Sequence, residues 1–180
     1  MYRIYADDNL IYSPYIDELK VTSAKLELEQ NEQGTFTFTI YPTNPYINEI
    51  EKMKTLIYVY QDDLLIFKGI AVNDTIAFRN QRTIQCKEEY YFLEYSIQRP
   101  YEFSGSPSDL FAQLIEEHNS QVDDEHQFIV GTCTVTDEDE NDYITRSDTT
   151  YLNTWESIQE KLIDMLGDIY ESDTRTTVII

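Results

Sequence analysis

The feature that most restricts what this chain can become is a period-two alternation that returns between short acidic turns. In Thr35-Phe36-Thr37-Phe38-Thr39-Ile40-Tyr41, β-branched Thr alternates with aromatic and aliphatic residues, and Leu26-Glu27-Leu28-Glu29 alternates ahead of Asn31-Glu32-Gln33-Gly34. Such a pattern puts one side-chain set on a core face and the other toward water, so it predicts a hairpin. Two more hairpins follow from Arg3-Ile4-Tyr5 and Leu10-Ile11-Tyr12 around Ala6-Asp7-Asp8-Asn9, and from Ile57-Tyr58-Val59-Tyr60 and Leu64-Leu65-Ile66-Phe67 around Gln61-Asp62-Asp63. Runs at 64–77 and 83–97, separated by Arg79-Asn80-Gln81-Arg82, predict two further strands. Pro42 and Pro45 bracket a break, and the spacing of Tyr46, Ile47, Ile50 and Met53 predicts a short helix. So many strands in residues 1–98 predict a mainly antiparallel β-barrel or sandwich, because closure removes unpaired edges.

Beyond Arg99-Pro100 the pattern changes to a mixed α/β domain over 99–180, making the chain α+β. Ser106-Pro107-Ser108-Asp109 reads as a helix start with Pro at the first helical position, and Leu110, Phe111, Leu114 and Ile115 form one apolar stripe that ends near His118-Asn119. Gln127-Phe128-Ile129-Val130 and Cys133-Thr134-Val135 read as strands. Asn153 and Glu156 predict a capped helix that buries Trp155, Ile158, Leu162 and Met165 and stops at Gly167. Asp168-Ile169-Tyr170 and Thr176-Thr177-Val178-Ile179-Ile180 read as strands, the last of them unturned, so the expectation is that this domain is incomplete and the 180 residues are the first part of a longer polypeptide.

Charge narrows the partners. With 34 Asp plus Glu against 13 Lys plus Arg and a formal charge of -21, specific binding to a nucleic-acid backbone is disfavoured, since phosphate affinity comes from clustered cations that release counterions. Anionic membrane surfaces are disfavoured for the same reason. No stretch reaches the roughly 20 apolar residues of a membrane helix, and the N-terminus lacks the apolar core of a signal peptide. Cys86 and Cys133 match neither a disulfide framework nor a zinc pattern and are expected to be buried free thiols.

Several motifs carry chemistry elsewhere. Tyr5-Ala6-Asp7-Asp8 and Tyr60-Gln61-Asp62-Asp63 reproduce the Tyr-x-Asp-Asp hairpin with which reverse transcriptases hold two Mg²⁺ ions. That chemistry needs a third carboxylate and a cationic template groove, and two copies in one short chain point instead to Asp as a turn residue. Asp137, Asp139 and Asn141 have the spacing of the first three ligands of a calcium loop, but Asp142 stands where the sharp turn wants Gly, and Asp148 replaces the bidentate Glu. A solvated acidic hairpin tip is the favoured reading. His118 and His126 have no His or Cys partner at metal-binding spacing, and no Gly-x-Ser-x-Gly elbow is present, although a Ser-His-Asp or Cys-His arrangement stays open at this level. Tyr90, Tyr91, Phe92, Tyr95 and Tyr101 are dense enough to stack on sugars, against which Trp155 lies on a helix's apolar stripe. No catalytic, cofactor-binding or metal residue is assigned, no cofactor is expected, and the chain is read as not an enzyme.

Taken in order, these segments resemble a known family. The opening hairpin from Ile4 through Ser13-Pro14, Ala24-Lys25-Leu26, the Gly34 turn into Phe36 through Pro42, Val59 through Asp63 and Leu65-Ile66-Phe67-Lys68-Gly69 come first. Pro100-Tyr101-Glu102-Phe103-Ser104-Gly105-Ser106, Leu114-Ile115, His118-Asn119, Tyr143 through Ser147 and Thr154-Trp155-Glu156 come after them. From residue 2 to about 168 this order is similar to the N-terminal region of phage tail minor structural proteins, the tail-tip hub family that includes prophage endopeptidase tail proteins and tail-associated lysins. The resemblance implies a fold like the baseplate hubs of contractile tails, with a tube-like β domain over 1–98 beside an α/β one. It implies a structural component of a siphophage or prophage tail tip, made in the bacterial host cytoplasm and located in the virion tail. Its partners would be the distal tail ring and the tape measure, and the full-length hub would be a homotrimer with any lytic domain C-terminal to this segment. The alternative is a fragment of a cell-wall-degrading or sugar-binding tail protein acting on the host envelope.

Overall fold

The computed structural model describes residues 1–29, 31–133 and 143–166. The chain is α+β and divides into two compact units, Met1–Tyr91 and Phe92–Ile180. The first holds seven strands: β1 (Tyr2–Ala6), β2 (Asn9–Tyr12), β3 (Val21–Glu27), β4 (Thr35–Ile40), β5 (Leu56–Gln61), β6 (Leu64–Ile76) and β7 (Arg82–Glu88). They form one sheet in the order β2-β1-β5-β6-β7-β4-β3, with every neighbouring pair antiparallel. All three hairpins expected from the sequence are present.

The sheet curls into a half-barrel. Register shifts interrupt the β1–β2, β3–β4, β5–β6 and β6–β7 pairings, and each unpaired residue bends its strand and increases the local twist. Among the described residues the closure inferred from the number of strands is not reached: β2 and β3 are the edges of the sheet. Both are built as edges. β2 has four residues, and β3 is bulged at Ser23 (φ 51) and carries a Lys25–Glu27 ion pair at 2.7 Å, features that discourage unplanned strand addition.

One face of the sheet buries Ile4, Ile11, Phe36, Phe38, Ile40, Ile57, Val59, Phe67, Ile84 and Cys86. The alternation in β4 is literal, since Phe36, Phe38 and Ile40 are buried and Thr35, Thr37 and Thr39, which alternate with them, are half-buried. Residues 42–55 supply Ile47 and Ile50 to this core, but as consecutive turns, and the helix expected at 46–53 is not formed. Its backbone groups are claimed by others. The Asn44 side chain accepts from Tyr46 N–H at 3.1 Å and donates to Ile11 O at 2.8 Å, Thr55 Oγ1 accepts from Glu51 N–H at 2.9 Å, and Arg82 takes the carbonyls of Ile47 and Ile50. A helix needs those same groups for its own ladder.

The strand expected over 83–97 ends at Glu88, and a 3-10 turn, Glu89–Tyr95, replaces its second half. Phe92 and Leu93 are both buried there, which a strand with one solvated face cannot provide for consecutive residues. The second unit pairs β8 (Ile97–Gln98) with β11 (Leu152–Asn153), and β9 (Tyr101–Gly105) with β10 (Ile144–Asp148). Helix α1 (Pro107–Asn119) starts as expected: Ser106 caps it by accepting from Asp109 N–H at 3.1 Å, with Pro107 in the first turn. Helix α2 (Thr154–Ile158) has the reciprocal Asn153–Glu156 cap, then passes through a π turn, Gln159–Ile163, into α3 (Asp164–Leu166). The π turn inserts a residue and rotates the remainder of the helix by about 100°, so Met165, expected in the core, is exposed, whereas Trp155, Ile158 and Leu162 are buried.

No strand forms over 127–133; Asn119 grips Phe128 instead, accepting its N–H at 2.9 Å and donating to its carbonyl at 2.8 Å. The expectations for 134–142, including the acidic loop at Asp137, Asp139, Asn141 and Asp142, and those for 167–180 lie outside the described residues. Cys86 is a fully buried free thiol, whereas Cys133, also expected to be buried, is a half-buried one. Burial pushes the Cys86 thiol far up, so the thiolate is suppressed. Alkylation at pH 8 is expected to label Cys133 in the native protein and Cys86 only after denaturation, read by peptide mass.

Candidate functional site

The two Asp-Asp hairpins are turns. Asp7 and Asp62 have φ of 48° and 55°, a conformation Asp tolerates, and Asp7 Oδ1 accepts from Leu56 N–H at 2.9 Å. In the β1–β5 pairing Tyr2 stands opposite Gln61 and Ala6 opposite Ile57, so the two carboxylate pairs lie at opposite ends of the same strand pair and form no joint site. Among the described residues no group of three or more His, Cys, Asp or Glu side chains gathers in metal-binding proximity. No helix among them is long and apolar enough to cross a membrane. Of the aromatic group singled out in the sequence, Phe92 is buried, Tyr90, Tyr91 and Tyr101 are half-buried, and burial pushes the Tyr90 phenol up to about 12. Trp155 is buried.

The structure gathers at one place four residues that are dispersed in the sequence: Ser96, Gln98, His118 and Thr154. These side chains, each 4% exposed or less, come from the residue before β8 and the last residue of β8, from α1 and from the N-terminus of α2. Ser96 Oγ lies 2.6 Å from His118 Nδ1 and 2.6 Å from Thr154 Oγ1; Gln98 Nε2 lies 2.7 Å from Thr154 Oγ1 and 3.0 Å from Leu114 O. His118 Nε2 is 3.0 Å from His126 O. The two carbonyls can only accept, and with the imidazole neutral they fix every direction in the chain. His118 Nε2–H donates to His126 O, so Nδ1 accepts the Ser96 hydroxyl. Ser96 Oγ accepts from Thr154, and Thr154 Oγ1 accepts from Gln98.

This is the Ser-His contact that spacing alone leaves open, and its chemistry is that of a closed circuit. A nucleophilic serine presents its oxygen to substrate, and its histidine is oriented by a third group, commonly a carboxylate. Here Ser96 is buried with its hydroxyl bonded on both sides, and His118 leans on a backbone carbonyl. Burial lowers the His118 pKa, the His126 ring acts in the same direction, and the hydrogen bond to His126 O offsets part of this. The neutral imidazole is therefore the form the fold selects. His126 is held by ring contacts with Phe92 at 4.6 Å and Tyr95 at 5.5 Å. Thr154→Val keeps the shape but deprives Gln98 and Ser96 of a partner inside a dry site; a loss of about 1–2 kcal/mol is expected in urea unfolding followed by Trp155 fluorescence.

A second polar cluster lies across β9 and β10. Asp148 is buried; its Oδ1 accepts from Thr150 N–H at 2.8 Å and Thr150 Oγ1 at 2.6 Å, and its Oδ2 faces Lys161 Nζ at 3.4 Å. Burial alone raises the Asp148 carboxyl, but the Thr150 hydrogen bonds and Lys161 outweigh it, and the net shift is downward. Lys161 is carried on the π turn, and Arg146 Nε donates to its carbonyl at 3.1 Å. The pairs Tyr101↔Asp148 and Arg146↔Phe103 stand opposite each other in the β9–β10 ladder. Nothing local in the sequence signals this cluster, since Asp148 stands out there only as the last position of an imperfect calcium loop.

No protein-family model matches the chain, and no curated protein matches it.

Proposed function

We propose that this chain is a structural module of a phage or prophage tail tip, a baseplate-hub-like component that acts through its surfaces rather than through catalysis. The observation that carries the reading is the curled antiparallel half-barrel of the first unit, filled on its core face by its own residues 42–55 and left with β2 and β3 as unpaired edges. Short, bulged and charged as they are, these edges do not template indiscriminate strand addition, and the backbone donors and acceptors they still present suit only a partner shaped to them. The ordered resemblance from residue 2 to about 168 adds the tail-tip context, and with it a homotrimer, the distal tail ring and the tape measure as partners. The closed Ser96–His118 circuit supports the non-enzymatic reading of this segment. The test pairs two measurements on the purified chain: co-elution with a siphophage distal tail-ring protein, which is expected, and zymography on peptidoglycan, where no clearing is expected. Clearing by the isolated chain, or failure to bind any tail protein, overturns the reading.

A further inference from the structure

We propose that the second unit is closed by an acid-sensitive latch, in which protonation of His118 reverses the hydrogen-bond chain through Ser96 and Thr154 and loosens the packing of β8, α1, the 124–128 turn and α2 on one another. The inference is independent of the tail-tip reading and rests on how the four side chains are satisfied. In the neutral state each buried proton has an acceptor: Gln98 to Thr154, Thr154 to Ser96, Ser96 to His118, and His118 to His126 O. A proton on Nδ1 turns that nitrogen from acceptor to donor. Ser96 must then accept from His118, and either its own proton turns to Thr154 and leaves the Thr154 hydroxyl without the acceptor it had, or it finds no acceptor itself; in both cases one fully buried hydroxyl proton is unsatisfied.

Among the described residues the new charge also meets no counterion that acts on the ring. The elements packed around the ring carry Glu94 and Tyr95, Asp124, Glu125 and His126, and Glu156, and α1 itself carries Glu116 and Glu117. Of these described groups His126 is the one whose charge is felt at the His118 ring, and it acts against protonation. Glu117 is engaged by Gln121 at 3.0 Å and Glu156 by Asn153 N–H at 3.2 Å. An uncompensated buried cation is relieved by opening, and the part that opens is defined by what His118 holds: Ser96 before β8, the 124–126 turn through the His126 carbonyl, and α2 through Thr154.

The sign is fixed by the buried neutral histidine. Its folded-state pKa lies below the unfolded value near 6.5, so its contribution is fully present above that value and is lost as pH falls from there toward the folded pKa. Other shifted groups do not imitate it. Asp148 loses its contribution only below the ordinary carboxylate range, and Glu88, raised mainly by burial, lies in the first unit and changes in the opposite sense.

The experiment is amide hydrogen exchange on the full chain between pH 7.5 and 5.5, corrected for intrinsic rates, with β4–β7 as internal reference and the His118 ring followed by NMR. Protection in α1, α2 and 96–98 is expected to fall by roughly threefold or more relative to the reference. In His118→Asn, which retains an acceptor for Ser96, or His118→Gln, which retains a donor for His126 O, the pH dependence is expected to vanish. His126→Phe keeps the carbonyl and the aromatic packing, and is expected to retain it. Wild-type protection that is flat across this range, or a loss unchanged in both non-titrating variants, overturns the proposal; if neither variant folds, the wild-type exchange must follow the His118 ring titration or the latch is refuted.

Discussion

Replacing Arg82 by Ala is expected to cost the β-sheet unit about 3–4 kcal/mol. The Arg82 guanidinium is 14% exposed and commits its donors to structure: Nε and Nη2 grip both Asp74 oxygens at 3.0–3.2 Å and 2.6 Å, Nη2 also reaches Ile50 O at 2.7 Å, and Nη1 takes Ile47 O. Arg82 stands opposite both Ile40 and Ile76, at the start of β7. One side chain therefore ties the end of β6 to residues 47–50, which close the core. Its removal leaves the Asp74 carboxylate, 23% exposed, without its partner and two backbone carbonyls without donors. Lysine supplies charge but no fork, so Arg82→Lys should recover less than half of the loss. Urea denaturation read by tyrosine signals reports mainly the first unit, which holds ten of the 15 Tyr, while the single Trp, Trp155, reports the second and serves as control. A loss under 1 kcal/mol for Arg82→Ala would show that the 47–50 turns hold without it.

That side chain also marks the limit of what the sequence carries. The hairpins are legible because their information is local: alternation chooses a face, and Asp7 and Asp62 supply the turn conformation. The two helix starts are legible for the same reason, through Ser106 and the Asn153–Glu156 cap. The apolar spacing of residues 46–53 marks buried residues correctly and a helix wrongly. Ile47 and Ile50 do reach the core, but the competitors for the local backbone, Arg82, Asn44 and Thr55, come from elsewhere or from side chains with no helical signature. The π turn is invisible to periodicity until Met165 appears on the wrong face. Neither polar cluster is legible as a cluster. Ser96, Gln98, His118 and Thr154 span 58 residues, and only packing β8 and the residue before it, α1 and α2 together makes them one circuit.

Gly69→Ala is expected to cost about 3 kcal/mol, although it adds a single methyl group to a strand, where alanine is normally as good as glycine or better. Gly69 pairs with Ile57 on one side and Glu88 on the other, in the middle of the sheet. A Cβ built there falls 2.1 Å from the Lys87 carbonyl oxygen and 2.6 Å from Cζ of Phe67. The second contact is with a side chain that can turn, but Phe67 is 2% exposed and packs 5.7 Å from Phe36, so turning it disturbs the core. The first is with backbone and cannot turn. β6 and β7 must separate locally, at the strand pair next to the Ala71–Asn73 irregularity that helps curl the sheet. The double variant Gly69→Ala, Phe67→Leu separates the two clashes: the smaller side chain frees the ring's space but not the carbonyl's, so only part of the added cost of Gly69→Ala should disappear beyond what Phe67→Leu costs alone. Weakened pairing should appear as faster amide exchange at Ile70, Ala71 and Lys87, with β1–β2 unchanged. If Gly69→Ala is neutral, or if Phe67→Leu removes its whole effect, the close approach of β7 backbone to this glycine is not what holds the curl.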